Sequence, residues 1–335
     1  MPKQMTNADG LLLQWGDRLF YEPVHARKAP RASGAARISR PAALRAQIAR
    51  TVQRVPEVMV KITNRQGAQN GMGAIRAHLD YISRKGRVDL EDQDGNSISG
   101  RLEVLDLMQM WRNAGRGIEE TSIRREAFNV MLSMPPGTDR PAVKNAARAF
   151  AQGEFGGRRD YVFAAHEDEA HPHVHIVVLA RGYDGRRLNP RKADLQRWRE
   201  RFAQELRDGG VEANATPRRT RGVTQRYERQ AVKRMRARGT EIRETDESFC
   251  DPQAMFNAHL PILLAWRGVV AALAESADSE DRWLARRAVG FVKQMPVVVT
   301  SRRSKTVDVV RPARSQEAAR LGIPPVQRSA PDIEH

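Results

Sequence analysis

A single cysteine, Cys250, is all the thiol chemistry that this 335-residue chain holds. One thiol cannot build an internal disulfide framework or a cysteine-based zinc site. Aromatic residues are scarce at 6%, and the five Trp are scattered. Acidic charge is in deficit: 40 Asp and Glu face 57 Lys and Arg, a formal net charge of +17. That imbalance says nothing about fold, but it points to a polyanionic partner, nucleic acid first. A GC-rich genome accounts for Arg outnumbering Lys, not for the excess over acids. No basic-then-apolar leader opens the chain. No apolar run reads as long enough to cross a bilayer. The expectation is a soluble, cytoplasmic protein without membrane insertion.

A hydrophobic share of 40% is enough for a real core, in one large domain or two modest ones. Residues 1–55 read as a basic, partly disordered arm, with a small strand pair or docking piece around Leu11–Tyr21 and one short helix near its end. Order is expected from Pro56. "EVMVKIT" alternates like a strand, and "MGAIRAHLDYISRKG" spaces Ile75, Leu79 and Ile82 as a helix. "VDLEDQDGNSISG" suits a hairpin or loop, and "EVLDLMQMWRNAG" a second helix. The strand "EAFNVMLS" stops at Pro135-Pro136-Gly137, and Asp139 caps the helix that follows. "RDYVFAAH" and "HVHIVVLARG" are strands joined by an acidic turn, with another helix over roughly 190–208. The order implies an α+β domain at 56–223: a central antiparallel sheet with helices on one face. Residues 224–300 read as a mainly helical, Arg-rich C-terminal extension ending in a short strand, "MPVVVT", and 301–335 as a basic tail.

Four of the eight histidines fall within ten residues, in "HEDEAHPHVH". Side chains alternate along a strand, so His173 and His175 share one face while Val174, Ile176 and Val178 turn to a core. His166 ends the preceding strand and can lie across from His173. Three imidazoles converging on one point make a metal site by residue type and geometry. Asp168 and Glu169 are further oxygen donors, one of them placed to hold an imidazole tautomer. His171, before Pro172, is auxiliary. Among nucleophiles Tyr81 stands out, because Arg84 and Lys85 follow it one turn on and can bind phosphate. Softness alone favours zinc or another transition metal at a three-His site.

These segments resemble a known family. "HEDEAHPHVHIVV" is similar to the His-rich motif of the HUH endonuclease superfamily, and "HLDYISRKG" to the first motif of its MobP-type relaxases, the mobilisation nucleases. "VMLSMPPGTD" and "LRDGGVEANATPRRTRG" resemble two further stretches of that group, in the family's order. The resemblance implies a relaxase palm. It implies Tyr81 as nucleophile, His166, His173 and His175 as ligands of Mg²⁺ or Mn²⁺, and Asp168 and His171 behind them. Arg84, Lys85, Arg218 and Arg221 would hold DNA.

The activity implied is nicking of one DNA strand at an origin of transfer, leaving a 5′-phosphotyrosine link, in conjugation or mobilisation. The partners implied are single-stranded DNA, relaxosome accessory proteins and a type IV secretion coupling protein. A rolling-circle replication initiator of the same chemistry is the first alternative, but such proteins usually place the tyrosine after the His motif. A non-enzymatic DNA-binding accessory protein is the second, and an intact Tyr81 with three histidines argues against it.

Overall fold

Every side chain of His173–Leu179 is buried, on both faces of the strand. A strand can be so only in mid-sheet with packed layers above and below. The computed structural model describes residues 7–20, 34–64, 70–115, 117–223 and 252–301, together with residues 235, 238 and 239. Its six strands are β1 (Met59–Ile62), β2 (Leu90–Asp92), β3 (Ser97–Ile98), β4 (Ala127–Ser133), β5 (Tyr161–His166) and β6 (His173–Leu179). They lie in the order β1-β4-β6-β5-β2-β3, each neighbour antiparallel. The antiparallel α+β architecture is therefore as the sequence implies.

Helices cover both faces of this sheet, not one. On one face α5 (Arg140–Phe155) and α6 (Lys192–Asp208) bury Phe150, Phe155, Trp198 and Phe202 against Val130, Leu132, Val174, Ile176 and Val178. On the other, α3 (Met72–Ile82) and α4 (Gly100–Asn113) bury Ile75, Leu79, Leu107 and Trp111 against Val162, Ala164, Val177 and Leu179. The polar "VDLEDQDGNSISG" segment forms the β2–β3 hairpin. The Asp139 carboxylate accepts from the Ala142 N–H at 2.8 Å, capping α5 as expected.

The helix α2 (Gly34–Val52) is longer than the short helix expected in the arm. The chain divides into two compact units, one of 42–217 and one formed by 1–41 with 218–335. The first thus takes in residues 42–55, assigned above to the arm. Leu44, Ile48, Val52 and Val55 are buried. Thr51 Oγ1 lies 2.9 Å from Thr216 Oγ1, and the Asn214 side-chain amide donates to Thr216 Oγ1 at 2.7 Å. Apolar residues four and seven apart outweigh the Arg-rich composition around them.

In the other unit, Asn7–Phe20 is one helix, α1, rather than a strand pair; Leu12, Leu19 and Phe20 are its buried stripe. It packs on α7 (Pro252–Ala274), which also packs on α8 (Ser279–Lys293). A Cβ on Gly268 would clash with the Trp15 indole, so the two helices approach closely there. Trp266 Nε1 donates to the Thr220 carbonyl at 2.8 Å, across to the 3₁₀ turn Arg219–Arg221. Residues 254–274 are, by length and composition, apolar enough to cross a membrane, which corrects the reading that no run is. Within this unit, however, Ile262, Ala265, Trp266, Val269, Ala272 and Leu273 form that helix's buried face. The apolar "MPVVVT" is not a strand: 296–301 is helical, with Met295 and Val297 buried. The Arg-rich stretch 226–238 lies almost wholly outside the described residues, and the 302–335 tail does so entirely.

Candidate active site

Strand register brings the imidazoles together. His166 pairs with His173 across β5 and β6, and His175 sits opposite Ala164, so all three side chains leave the same face. Their ring centroids are 5.2, 4.8 and 5.2 Å apart, for His166–His173, His166–His175 and His173–His175. One ring nitrogen from each falls within 4.8 Å of the others, and all three residues are buried. This is the face that α3 covers farther along, so the helix ends where the histidines begin.

Tyr81 occupies the last turn of α3. Its ring lies 5.7 Å from that of His175 and 6.1 Å from that of His166, and the residue is 50% exposed. A tyrosine used only for packing would be covered; this one borders the cluster and opens to solvent. The same helix end holds His166. The Ile82 carbonyl, left over at the α3 C-terminus, lies 2.7 Å from His166 Nε2. A carbonyl only accepts, so Nε2 carries the proton and Nδ1 keeps its lone pair. His173 Nδ1 likewise donates to the His171 carbonyl at 3.0 Å, which leaves Nε2 available. His175 Nδ1 is buried with no hydrogen-bond partner.

Protonation favours ligation. Burial first, then the charges of His166, His173, His78 and Arg84, push His175 down to about 3. Burial also lowers His166, against the Ile82 hydrogen bond, with Arg84 and His173 adding to the fall. Both rings are neutral near pH 7 and can donate a lone pair. An orphaned buried nitrogen is costly unless something occupies it. The donor set therefore fits a divalent cation.

The other residues singled out above take less direct places. Asp168 does not accept from an imidazole. It forms an ion pair with Arg84, whose Nη2 lies 3.4 Å from His166 Nδ1. Desolvation is the largest single influence and raises the Asp168 carboxyl, but Arg84, a backbone N–H and His166 together outweigh it and hold the carboxyl below the usual carboxylate range. Glu169 offers its backbone carbonyl, not its carboxylate, to Arg140 Nη2 at 2.5 Å. His171 is exposed, and it is its carbonyl rather than its ring that orients His173. Arg84 and Lys85 both take left-handed backbone conformations at the α3 exit, with φ of 51° and 59°. The Arg84 guanidinium sits 5.0 Å from the Tyr81 ring centroid, and Lys85 is exposed. Arg218 and Arg221 fall in the other unit, the first exposed and the second half-buried.

Residues 81–210 match the family model "Relaxase: MobA/VirD2-like, nuclease domain". The match begins at Tyr81 and takes in the histidine cluster. Residues 81–210 are thus similar to a relaxase nuclease domain of the MobA/VirD2 type. Curated relatives are the T-DNA border endonuclease VirD2 of Rhizobium radiobacter, 26% identical over 59% of this chain and 51% of that one, and that of Agrobacterium fabrum, 27% identical over 59% and 48%. The VirD2 of Rhizobium rhizogenes is 26% identical over 51% of this chain and 43% of its own. The chain thus spans about half the length of the curated relatives it matches. A solved structure described as the molecular basis of vancomycin resistance transfer in Staphylococcus aureus aligns at 14% identity over 48% of this chain and 98% of that one. Its TM-score of 0.34 is too low to establish a shared fold.

Two features of this site escaped sequence reasoning. His78, one turn before Tyr81, stacks with it at 5.9 Å and meets the His175 ring edge-on at 6.0 Å. Its i, i+3 spacing from Tyr81 was the available signal. The Ile82 carbonyl left no signal, since any residue supplies one.

Proposed function

We propose that this chain is a DNA relaxase, which nicks one strand at an origin of transfer by tyrosine transesterification. The observation that carries the reading is the half-exposed Tyr81 ring set beside His175 and His166, within the segment that matches the relaxase family. Tyr81 Oη would attack the scissile phosphorus. The bond from phosphorus to the 3′ oxygen breaks, the phenol proton is given up and the 3′ oxygen gains one. A diester replaces a diester, so the strand can be rejoined. His166, His173 and His175 would hold a divalent cation, Mg²⁺ or Mn²⁺, and when bound it supplies charge neutralisation at the phosphate. Arg84, one edge of its guanidinium tied to Asp168, adds positive charge on the Tyr81 side. On this reading the chain works in the cytoplasm on single-stranded DNA, with relaxosome accessory proteins and a type IV coupling protein as partners.

The test is a covalent adduct. Single-stranded oligonucleotides tiled across the DNA around the gene are incubated with protein, with and without divalent metal, and resolved under denaturing conditions. A metal-dependent adduct should form, map to Tyr81 by peptide mass analysis, and vanish in Tyr81→Phe while DNA binding persists. Attachment to Tyr161, Tyr183 or Tyr227 would overturn the assignment.

A further inference from the structure

The Pro135-Pro136-Gly137 turn and the Asp139 cap launch α5 beside the end of the sheet that carries the imidazoles. The turn's motif has no part in the chemistry above. A cavity of about 250 Å³ opens there, walled by α5 on one side and by His166, His173 and Pro172 on the other. Arg140, Lys144 and Arg148 all line it. They are spaced four apart, so one face of α5 presents three cations in a row. Strand alternation puts α5 on the sheet face opposite α3, so the cavity lies across the strand ends from Tyr81.

The three cations are held differently. Arg140 donates to the His166 carbonyl at 3.2 Å and to the Glu169 carbonyl at 2.5 Å, which fixes it without neutralising it. Arg148 is paired with the Glu91 carboxylate through Nη2 at 2.8 Å. Lys144 is exposed and forms no ion pair among the described residues. Glu167 is the one acidic side chain in the lining. A fixed guanidinium beside an uncommitted ammonium suits a phosphodiester, whose single charge is repelled less by Glu167 than a dianion would be.

We propose that this cavity is a second phosphate subsite, which grips the backbone of single-stranded DNA where it passes over the strand ends away from Tyr81. The proposal rests on the relaxase reading and adds a binding site to it. It gives the Pro-Pro-Gly-Thr-Asp motif a purpose: the turn and cap set the register at which α5 starts, and so where Lys144 points.

The experiment is the salt dependence of binding. A fluorescein-labelled oligothymidylate is titrated with full-length protein by anisotropy across about 50 to 200 mM salt, a range over which lost phosphate contacts are read from the slope. Lys144→Ala should bind severalfold more weakly at low salt and lose about 0.7 from the log–log slope, one single-strand phosphate contact. Lys144→Arg should keep the wild-type slope. Arg186→Ala, which removes an 88%-exposed cation beyond the other end of β6, should leave the slope unchanged. If Lys144→Ala matches wild type, or Arg186→Ala loses as much, the subsite is overturned while the relaxase reading stands. If the wild-type protein binds no single-stranded DNA, both fall together.

Discussion

His166 Nε2 lies 2.7 Å from the backbone carbonyl of Ile82, the residue after Tyr81. One hydrogen bond thus sets a tautomer in the histidine cluster and pins the end of the helix that carries the tyrosine. The histidine cluster and the Tyr81 helix end are joined directly, although Tyr81 and His166 stand 85 positions apart in the sequence.

Cation binding should be visible as stability. At a concentration about a hundred times Kd, a ligand that binds only the folded state adds about 2.7 kcal/mol. For a domain of this size that raises Tm by roughly 5–10 °C. Mn²⁺ should produce such a rise in the wild-type protein and not in His175→Ala. The quantity to compare is the metal-induced shift within each protein, because the substitution itself lowers Tm. An equal shift in both would remove His175 from the ligand set.

Acid should weaken the metal-free fold before its carboxylates matter. His175 sits at about 3 when folded, against an ordinary 6.5. Between those values the unfolded chain binds the proton and the folded chain does not. Stability is therefore full above about pH 6.5 and falls with pH, by up to about 1.4 kcal/mol per unit from this residue. His166 acts in the same direction. Urea melts at pH 7 and pH 5 should differ by on the order of 2 kcal/mol. His175→Gln should flatten most of that difference.

Arg84 should oppose the cation while serving the DNA. Its Nη2 points at the Nδ1 lone pair of His166 from 3.4 Å, and its charge raises the local potential. Arg84→Ala should tighten Mn²⁺ binding by calorimetry and reduce adduct formation. Asp168→Asn, at a pair whose carboxylate is half exposed, should change stability by no more than about 1 kcal/mol. Weaker Mn²⁺ binding in Arg84→Ala would contradict this account.

The C-terminal half of α2 should behave as core. Ile48 is 0% exposed, and Ile48→Ala should cost about 2–5 kcal/mol in chemical denaturation. Thr51→Val, which takes one hydrogen-bond partner each from buried Thr216 and Asn214, should cost about 1–3 kcal/mol. Leu102→Ala, at a 76%-exposed site on α4, is the control and should stay within about 0.5 kcal/mol of wild type. A neutral Ile48→Ala would mean that residues 42–55 are an appendage after all.

Much of the site was legible because its information is local. Alternation along "HVHIVV" places His173 and His175 on one face whatever the strand's neighbours are, and a short turn returns His166 beside them. Helical spacing around Leu79 and Ile82 likewise puts Tyr81 on α3. Composition misled where it averaged over an amphipathic pattern. In residues 34–55 the Arg and Ala content hid the stripe of Leu44, Ile48, Val52 and Val55. "MPVVVT" looked like a strand because β-branched residues favour one, but 296–301 is helical, with Met295 and Val297 packed close to Gly222.

The amino-acid sequence by itself determined the strand alternation, the capped start of α5, the histidine spacing and the excess positive charge. These follow from the 2- and 3.6-residue periods and from side-chain chemistry, which need no distant partner. Only the tertiary structure decided that both sheet faces are covered and that Asp168 serves Arg84 rather than an imidazole. It alone decided that backbone carbonyls of Ile82 and His171 choose the tautomers. Those depend on which groups meet across a sequence separation of 84, as Ile82 and His166 do, and carbonyls are the same in every residue.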